Sequence, residues 1–252
     1  MKSTAILIPA RYDSKRFPGK PLVDLNGKPM IKRVFDICKS TGLDTYVLTD
    51  DMRIFNLFGP GESWIEKTKD FANGTERCAA AATDENFIQY LGNYDRFINV
   101  QGDMPDVTVD MIEKCAESLS YNYSVSTVYT DMPKEMQDDP NSVKMVHGVL
   151  GAQRDLQFGG DQLLKHQRYP NQALWFGRGL TGYGEWHLGV YGYDRHALTA
   201  YPNLKVTQEE TVEQLEQLRW LTNGWRIGAQ KVNFSGIEIN TPEDVRKWNE
   251  TL

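Results

Sequence analysis

The chain has 252 residues, a net charge of −6 and 40% hydrophobic residues, which fits one large globular domain or a main domain with a smaller lobe. The acidic balance argues against a general nucleic-acid-binding surface, and we expect no nucleic-acid partner. Cys38, Cys78 and Cys115 are widely spaced and predict reduced, mostly buried thiols rather than a zinc site or disulfides. No apolar stretch approaches membrane-spanning length, so we expect a soluble cytoplasmic protein with no membrane partner.

A short apolar run, residues 5–8, predicts a buried first strand that leads into a loop spanning residues 9–21. The loop carries four cations, and a Pro-Gly pair restricts its path. In an open α/β sheet, a loop at the carboxyl end of the first strand is suited to binding a polyanion such as a nucleoside triphosphate. Arg11 can fork two phosphate oxygens, and Lys20 supplies a point charge. The alternative is a solvated basic surface loop, and the Walker pattern GxxxxGK[ST] is absent.

The elements that follow alternate in type and predict an α/β protein with a mixed, mostly parallel sheet. Hydrophobic periodicity predicts helices over 29–40, 78–83, 108–119 and 209–221, and strands over 45–49, 96–100, 123–129, 187–193 and 225–232. The first strand–helix–strand unit predicts a parallel, right-handed pairing. Between residues 130 and 186 the pattern loosens and predicts irregular and antiparallel pieces. We interpret residues 1–252 as a single domain with residues 130–205 as a smaller lobe.

Two C-terminal segments carry helix signals. From Glu209 to Leu221, apolar residues on one face, Val212 and three leucines, predict one continuous amphipathic helix. Further on, Thr241 is expected to cap the last helix, with Pro at its first position and Asp244 completing a capping box.

Three further segments are candidates for binding chemistry, each with a plain structural alternative. Asp103, in Gln101-Gly102-Asp103, follows a buried strand and is suited to holding Mg²⁺, although Gly-Asp also commonly closes a strand as a turn. The run from Gly74 to Arg77 opens a helix whose N-terminus could bind a base or a phosphate, or could be a capped helix with surface charges. Asn240 precedes the last helix, where such residues are usually simple caps.

Taken together, the motifs of this chain resemble the CMP-Kdo synthetases, the 3-deoxy-manno-octulosonate cytidylyltransferases. The N-terminal loop alone would also suit acylneuraminate cytidylyltransferases, whereas two later motifs, Gly74 to Arg77 and His187 to Tyr193, favour the Kdo branch. The resemblance spans nearly the whole chain. In chain order, the matching motifs are Pro9-Ala10-Arg11, Pro18-Gly19-Lys20-Pro21-Leu22, Gly27-Lys28-Pro29-Met30-Ile31, Gly74-Thr75-Glu76-Arg77, Asn99-Val100-Gln101-Gly102-Asp103, His187-Leu188-Gly189-Val190-Tyr191-Gly192-Tyr193, Leu215-Glu216-Gln217-Leu218-Arg219 and Thr241-Pro242-Glu243-Asp244.

The resemblance implies a Rossmann-like nucleotidyltransferase fold, of the nucleotide-diphospho-sugar transferase type, and a homodimer. It implies a reaction in which CTP and a keto-sugar acid give a CMP-sugar and pyrophosphate, with Mg²⁺ as the cofactor. Residues 130–205 would form a sugar-binding and dimerisation lobe. The implied catalytic residues are Arg11, Lys20 and Asp103, and the implied metal ligands are Asp103 and Asn240. The implied nucleotide-binding residues are Pro9, Ala10, Arg11, Lys20, Gly74, Thr75, Arg77 and Gln101, and the implied sugar-binding residues are Gln101, His187, Tyr191, Glu210, Glu213 and Gln217. Without the resemblance, His187 would be interpreted as a satisfied core histidine and the helix glutamates as a solvated face.

The chain departs from the family pattern at three places. Asn240 stands where the family usually has a second metal-binding Asp, and the lost charge predicts weaker Mg²⁺ binding. Met104 follows Asp103 where the family usually has Glu. The family's Ser-Arg pair, which helps to shape the site for the sugar carboxylate, has no counterpart in residues 156–161. Arg168 and Arg178 are the candidate replacements.

Three functional hypotheses follow. The first is transfer of CMP from CTP to Kdo or a related 3-deoxy-keto-sugar acid. The second is the same transfer to a different sugar acid, such as amino-Kdo or a nonulosonic acid, and the altered stretch 156–161 motivates it. The third, motivated by Asn240, is a weakly active nucleotide-binding homologue.

Overall fold

The computed structural model describes residues 3–13, 17–148, 170–237, 239 and 241–250. The chain divides into two compact units, one formed by Met1–Glu113 with Ser235–Leu252 and the other by Lys114–Phe234. The stretch 130–205, expected to form a lobe, falls inside the second unit, and its role in sugar binding and dimerisation stays a prediction.

The helices and strands match most of the predicted elements in type and order. The strands are β1 (Thr4–Ala10), β2 (Asp24–Leu25), β3 (Lys28–Pro29), β4 (Asp44–Thr49), β5 (Ser63–Ile65), β6 (Arg96–Asn99), β7 (Val125–Thr130), β8 (Lys144–Gly148), β9 (Asn171–Gly177), β10 (Glu185–Asp194) and β11 (Ile227–Lys231). The helices are α1 (Met30–Ser40), α2 (Met52–Phe55), α3 (Gly74–Thr83), α4 (Ile88–Leu91), α5 (Val109–Ser118), α6 (Arg195–Ala200), α7 (Gln208–Glu213), α8 (Gln217–Thr222) and α9 (Pro242–Glu250).

The first unit is built on a parallel sheet in the order β5-β4-β1-β6. Ile6 of β1 lies opposite Thr45 of β4 and Ile98 of β6, which confirms the predicted parallel pairing of the first strand–helix–strand unit. β1 is buried from its second residue onward, as a central strand of a sheet covered on both faces must be. Its carboxyl end therefore delivers the chain directly into the loop that begins at Arg11.

The C-terminal helix packs on the first unit through a small apolar cluster. Leu25, Met30, Ile239 and Trp248 are buried together, which brings α9 against the hairpin of β2 and β3 and the start of α1. At the start of α9, the Thr241 hydroxyl accepts a hydrogen bond from the Asp244 N–H, while the Thr241 N–H donates to the Asp244 carboxylate. The predicted capping box is therefore confirmed.

The second unit is built on a mixed sheet in the order β10-β7-β11-β9-β8, in which β8 also pairs with the start of β10. β7 and β11 run parallel, and the other pairs are antiparallel. The antiparallel character predicted for the region after residue 130 is therefore confirmed for β8 and β9. Cys38, Cys78 and Cys115 are all buried, free thiols.

The prediction of one continuous helix from Glu209 to Leu221 is wrong. The segment forms two short helices, α7 and α8, because Gln214 adopts a left-handed backbone with φ 55° and ψ 45° and ends α7. Val212, expected on the buried face, is 71% exposed. Apolar residues at helical spacing do not show whether a helix continues, because a single left-handed residue is enough to end it.

Candidate active site

A cavity of about 220 Å³ lies in the first unit, where the ends of β1 and β6 and the start of α3 converge. Its lining residues are Pro9, Ala10, Arg11, Lys20, Pro21, Phe71, Ala72, Asn73, Gly74, Arg77, Gln101, Gly102 and Asp103. Every residue predicted to bind the nucleotide lines this cavity except Thr75, whose side chain is fully buried in α3. The structure thus brings together residues separated by up to 94 positions of sequence, from Pro9 to Asp103.

Lys20 and Asp103 form an ion pair at the cavity, with Lys20 Nζ 2.6 Å from Asp103 Oδ2. The Lys20 side chain is 9% exposed and the Asp103 side chain is 46% exposed. Gly19 makes this placement possible, since its left-handed backbone with φ 75° starts the short 3₁₀ turn that carries Lys20. The ammonium is therefore fixed in a nearly buried position while its carboxylate partner remains open to solvent.

The cavity walls approach each other closely at two glycines. A Cβ on Gly74 would come within 3.0 Å of the Pro9 ring, and one on Gly102 would come within 3.0 Å of the Pro9 carbonyl oxygen. Asn73 caps α3, since its side chain accepts a hydrogen bond from the Glu76 N–H at 2.9 Å. Because α3 begins at Gly74 on this wall, the N-terminal end of the helix suits an anionic ligand.

Arg77 forms part of the cavity wall and is paired with a residue that the motifs did not single out. Its Nη2 atom donates to Asp50 Oδ2 at 2.9 Å, and its guanidinium lies 5.0 Å from the centre of the Phe71 ring. The other oxygen of Asp50 accepts a hydrogen bond from the Tyr12 N–H at 2.9 Å. The sequence held a signal for Asp50, because it directly follows a predicted strand in a parallel unit, the usual position of site residues.

Four of the five predicted sugar-binding residues of the second unit are buried and bonded to each other or to neighbouring side chains, and the fifth, Glu213, is half-buried. His187 is 4% exposed, and its Nε2 atom lies 2.9 Å from the Thr127 hydroxyl. Burial, with a smaller contribution from the charge of Arg178, lowers the pKa of His187 to about 3, so the imidazole is neutral at pH 7. The geometry is that of a satisfied core histidine, the alternative that the sequence left open, and its role toward a sugar stays a prediction.

Tyr191 and Gln217 form a second buried pair, in which the Tyr191 hydroxyl donates to Gln217 Oε1 at 2.9 Å. Gln217 is 1% exposed, and its Nε2 atom has no hydrogen-bond partner among the described residues. An unpaired buried amide donor is costly, so this N–H₂ is available to an acceptor group that reaches it.

The two glutamates of α7 do not form the solvated helix face that the sequence alone would suggest. Both carboxylate oxygens of Glu210 accept hydrogen bonds from Arg219, at 2.6 and 2.8 Å, and both side chains are nearly buried. Glu213 accepts the Arg178 N–H at 2.7 Å. The Arg178 guanidinium donates to two backbone carbonyls, of Glu213 and Asn141. These carboxylates therefore hold α7 in place within the second unit, and their roles toward a sugar stay predictions.

No group of three or more His, Cys, Asp or Glu side chains is arranged to hold a metal ion within the described part of the chain. Asp103 is the one predicted metal ligand that the structure places, while Asn240, residues 156–161 and Arg168 lie outside the described residues. Among the described helices, none has the length and apolar character needed to cross a membrane.

Comparison with known proteins places this geometry in a family. Residues 5–227 match a family model described as cytidylyltransferase. A protein of Shewanella halifaxensis named 8-amino-3,8-dideoxy-manno-octulosonate cytidylyltransferase is 35% identical over 97% of this chain and 96% of its own length. A protein of the same name from Shewanella oneidensis is 36% identical over 99% of this chain and 98% of its own length.

Solved structures agree with this placement. A CMP:2-keto-3-deoxy-manno-octonic acid synthetase complexed with CTP matches 99% of this chain and 98% of its own chain, with a TM-score of 0.80 and 27% identity. A glucose-1-phosphate thymidylyltransferase from Bacillus anthracis, described as putative and 12% identical, shares the fold with a TM-score of 0.65. The predicted nucleotidyltransferase fold class and the resemblance carried by the motifs are thus confirmed. This chain belongs to the cytidylyltransferase family of enzymes.

Proposed function

We propose that this chain transfers CMP from CTP to 8-amino-3,8-dideoxy-manno-octulosonate, with release of pyrophosphate. The observation that carries the proposal is the convergence of Arg11, Lys20 and Arg77 with Asp103 on one cavity of a cytidylyltransferase fold. A cavity lined by three cations and one carboxylate suits a ligand with several negative charges. The choice of sugar is supported by the relatives that are 35–36% identical to this chain and carry that name.

The chemistry requires the anomeric hydroxyl of the sugar to attack the α-phosphorus of CTP, with pyrophosphate as the leaving group. In transfers of this kind the protein contributes mainly positioning and stabilisation of developing charge. Lys20 suits the second task, because it is nearly buried and fixed by Asp103, so its charge is little screened by water. Arg11 is exposed and adds a guanidinium that can bind two phosphate oxygens at once.

The residues present fit Mg²⁺ delivered with the triphosphate. Mg²⁺ commonly binds through one or two carboxylates together with substrate phosphates and waters. Asp103 offers one such carboxylate, half exposed and on the wall of the cavity. When bound, Mg²⁺ would neutralise charge on the phosphates. Because Asn240 stands where the family usually has Asp, we expect Asn240→Asp to raise the affinity for Mg²⁺.

The test is a panel of sugar acids presented to the purified protein with CTP and Mg²⁺, followed by measurement of pyrophosphate release. We expect turnover with the 8-amino sugar to exceed turnover with Kdo, and turnover with a nonulosonic acid to be lowest. Turnover confined to Kdo would reject the 8-amino assignment but keep the cytidylyltransferase. Absence of pyrophosphate release with every sugar would reject the activity.

We also propose that the enzyme is a homodimer, as the family resemblance implies. Light scattering coupled to size-exclusion chromatography measures this directly, and the expected mass is twice the 28.8 kDa of the chain. A monomeric mass at micromolar concentration contradicts the proposal.

A further inference from the structure

Asp50 links two walls of the cavity through the two oxygens of one carboxylate. It directly follows β4, whose last residue, Thr49, lies opposite Ala10 of β1. Oδ1 accepts the Tyr12 N–H at 2.9 Å, and Oδ2 accepts Arg77 Nη2 at 2.9 Å. One side chain therefore holds both the loop that follows β1 and the first turns of α3.

The position of Arg77 depends on this link because its side chain is only 6% exposed. A buried guanidinium needs a counter-charge, and within the described residues Asp50 is the carboxylate that forms an ion pair with it. Arg77 Nη1 has no hydrogen-bond partner among the described residues. Asp50 thus fixes the orientation of a cation that forms part of the cavity wall.

The loop side extends from Tyr12 to Lys20. The Tyr12 carbonyl oxygen accepts the Gly19 N–H at 2.9 Å, and the Arg53 guanidinium stacks 3.5 Å from the centre of the Tyr12 ring. Gly19 immediately precedes Lys20, whose ammonium forms the ion pair with Asp103. The backbone of Tyr12 is thus hydrogen-bonded on both sides: its carbonyl oxygen accepts from Gly19, and its N–H donates to Asp50.

We propose that Asp50 is a positioning residue for nucleotide binding: it orients Arg77 directly and supports Lys20 through Tyr12. The proposal rests on the proposed function, since it assumes that the cavity binds CTP. Asp50 itself is not among the residues that line the cavity, so it acts through the groups that it holds.

Asp50→Asn separates the two links. The asparagine carbonyl can still accept the Tyr12 N–H, whereas its N–H₂ group would face the Arg77 donor. We expect the dissociation constant and the KM for CTP to rise about tenfold or more, as loss of a charge-assisted hydrogen bond permits, with the KM for the sugar little changed. The melting temperature should fall as well, because the buried Arg77 guanidinium loses its counter-charge. Asp50→Ala removes both links and should also lower kcat.

Asp44→Asn is the matched control, because Asp44 lies at the other end of β4 and accepts a hydrogen bond from the Tyr94 hydroxyl, away from the cavity. A double variant tests the route through Arg77: if Asp50 acts through that residue, Asp50→Asn should cost little further CTP affinity in an Arg77→Met background. Additive losses would overturn this route.

Calorimetric titration of CTP into the protein with Mg²⁺ present tests the proposed function and the role of Asp50 separately. Absence of CTP binding to the wild-type protein would reject the proposed function itself. Binding to the wild type, with Asp50→Asn within twofold of it, would reject only the role of Asp50. Should Asp50→Asn not fold, Asp50→Glu keeps the charge but displaces both oxygens, and an unchanged CTP affinity in that variant would equally reject the role.

Discussion

The two units use their predicted site residues in opposite ways. In the first unit, the charged residues line one cavity, where Arg11 and Asp103 are open to solvent while Lys20 and Arg77 are nearly buried in its wall. In the second unit, His187, Gln217 and Glu210 are at most 8% exposed and are bonded to neighbouring side chains. Polar groups gathered on a cavity are available to a ligand, whereas buried polar groups that satisfy one another primarily hold a fold together.

The difference has a structural cause. In the first unit the residues follow the ends of parallel strands, and the topology of a parallel sheet brings such ends together regardless of the side chains. In the second unit the residues lie within β10 and on α7 and α8, where burial depends on how each helix packs and where it breaks. Variants that change a buried charge, a cavity charge or a backbone conformation test this contrast between the units.

Arg219→Met should be the most destabilising of these changes, by about 3–5 kcal/mol, because it leaves the nearly buried Glu210 carboxylate without its bidentate partner. Urea unfolding of the purified protein measures the loss. The matched control is Arg246→Met, which breaks an exposed pair with Glu243 and should cost less than about 1 kcal/mol. Glu210→Gln combined with Arg219→Met should recover part of the stability. Equal effects of the two arginine substitutions would show that the Glu210 pair is not buried.

Lys20→Ala should lower kcat by about 10²–10³-fold, the effect typical of removing one preorganised group that stabilises transition-state charge. Steady-state pyrophosphate release measures the effect, with folding checked by thermal unfolding. The matched control is Lys28→Ala, since Lys28 forms an exposed ion pair with Asp36 on the same unit. A loss similar for both lysines would indicate an effect of net charge rather than of the cavity.

The stability of the wild-type protein should fall as the pH is lowered from about 6.5 towards 3, because the folded-state pKa of His187 is depressed to about 3. Above pH 6.5, His187 is neutral in both the folded and the unfolded protein, so it does not lower the free energy of unfolding. Below it the unfolded chain binds a proton that the buried imidazole does not, at a cost of about 1.4 kcal/mol per pH unit. Urea unfolding at pH 7 and pH 5 measures the slope. His187→Gln should reduce it, and an unchanged slope would contradict the buried, neutral state.

Much of the fold and of the first unit could be predicted from the sequence because the signals there are local. The apolar run before Pro9 specifies a buried strand within a few residues. The capping box of Thr241 and Asp244 likewise specifies the start of a helix. Lys20 and Asp103 were predictable as neighbours of a common cavity, since each follows a buried strand, but not as an ion pair.

The remainder depends on contacts between distant residues. Nothing near Glu210 in the sequence indicates that Arg219 will neutralise it, because the pairing requires the break between α7 and α8. Asp50 likewise acquires its partners only when Tyr12 and Arg77 are brought to it by the sheet. A resemblance to a family indicates which residues matter. It does not as readily indicate which neighbours each of those residues contacts.

Gln214→Gly should give the smallest effect and the opposite sign, a gain of about 0.5 kcal/mol. Its left-handed backbone, φ 55°, costs a residue with a Cβ about 1–2 kcal/mol, and glycine avoids that cost while losing more conformational entropy on folding. Loss of the bond from the Gln214 side chain to the Thr211 carbonyl offsets part of the gain. Val212→Gly, at an exposed position with helical backbone in α7, is the matched control and should lower stability by a few tenths of a kcal/mol. In a continuous helix from Glu209 to Leu221, glycine at either position would lower stability. A gain at Gln214 with a loss at Val212 in thermal unfolding therefore supports the break, whereas a loss at both positions would support the single helix.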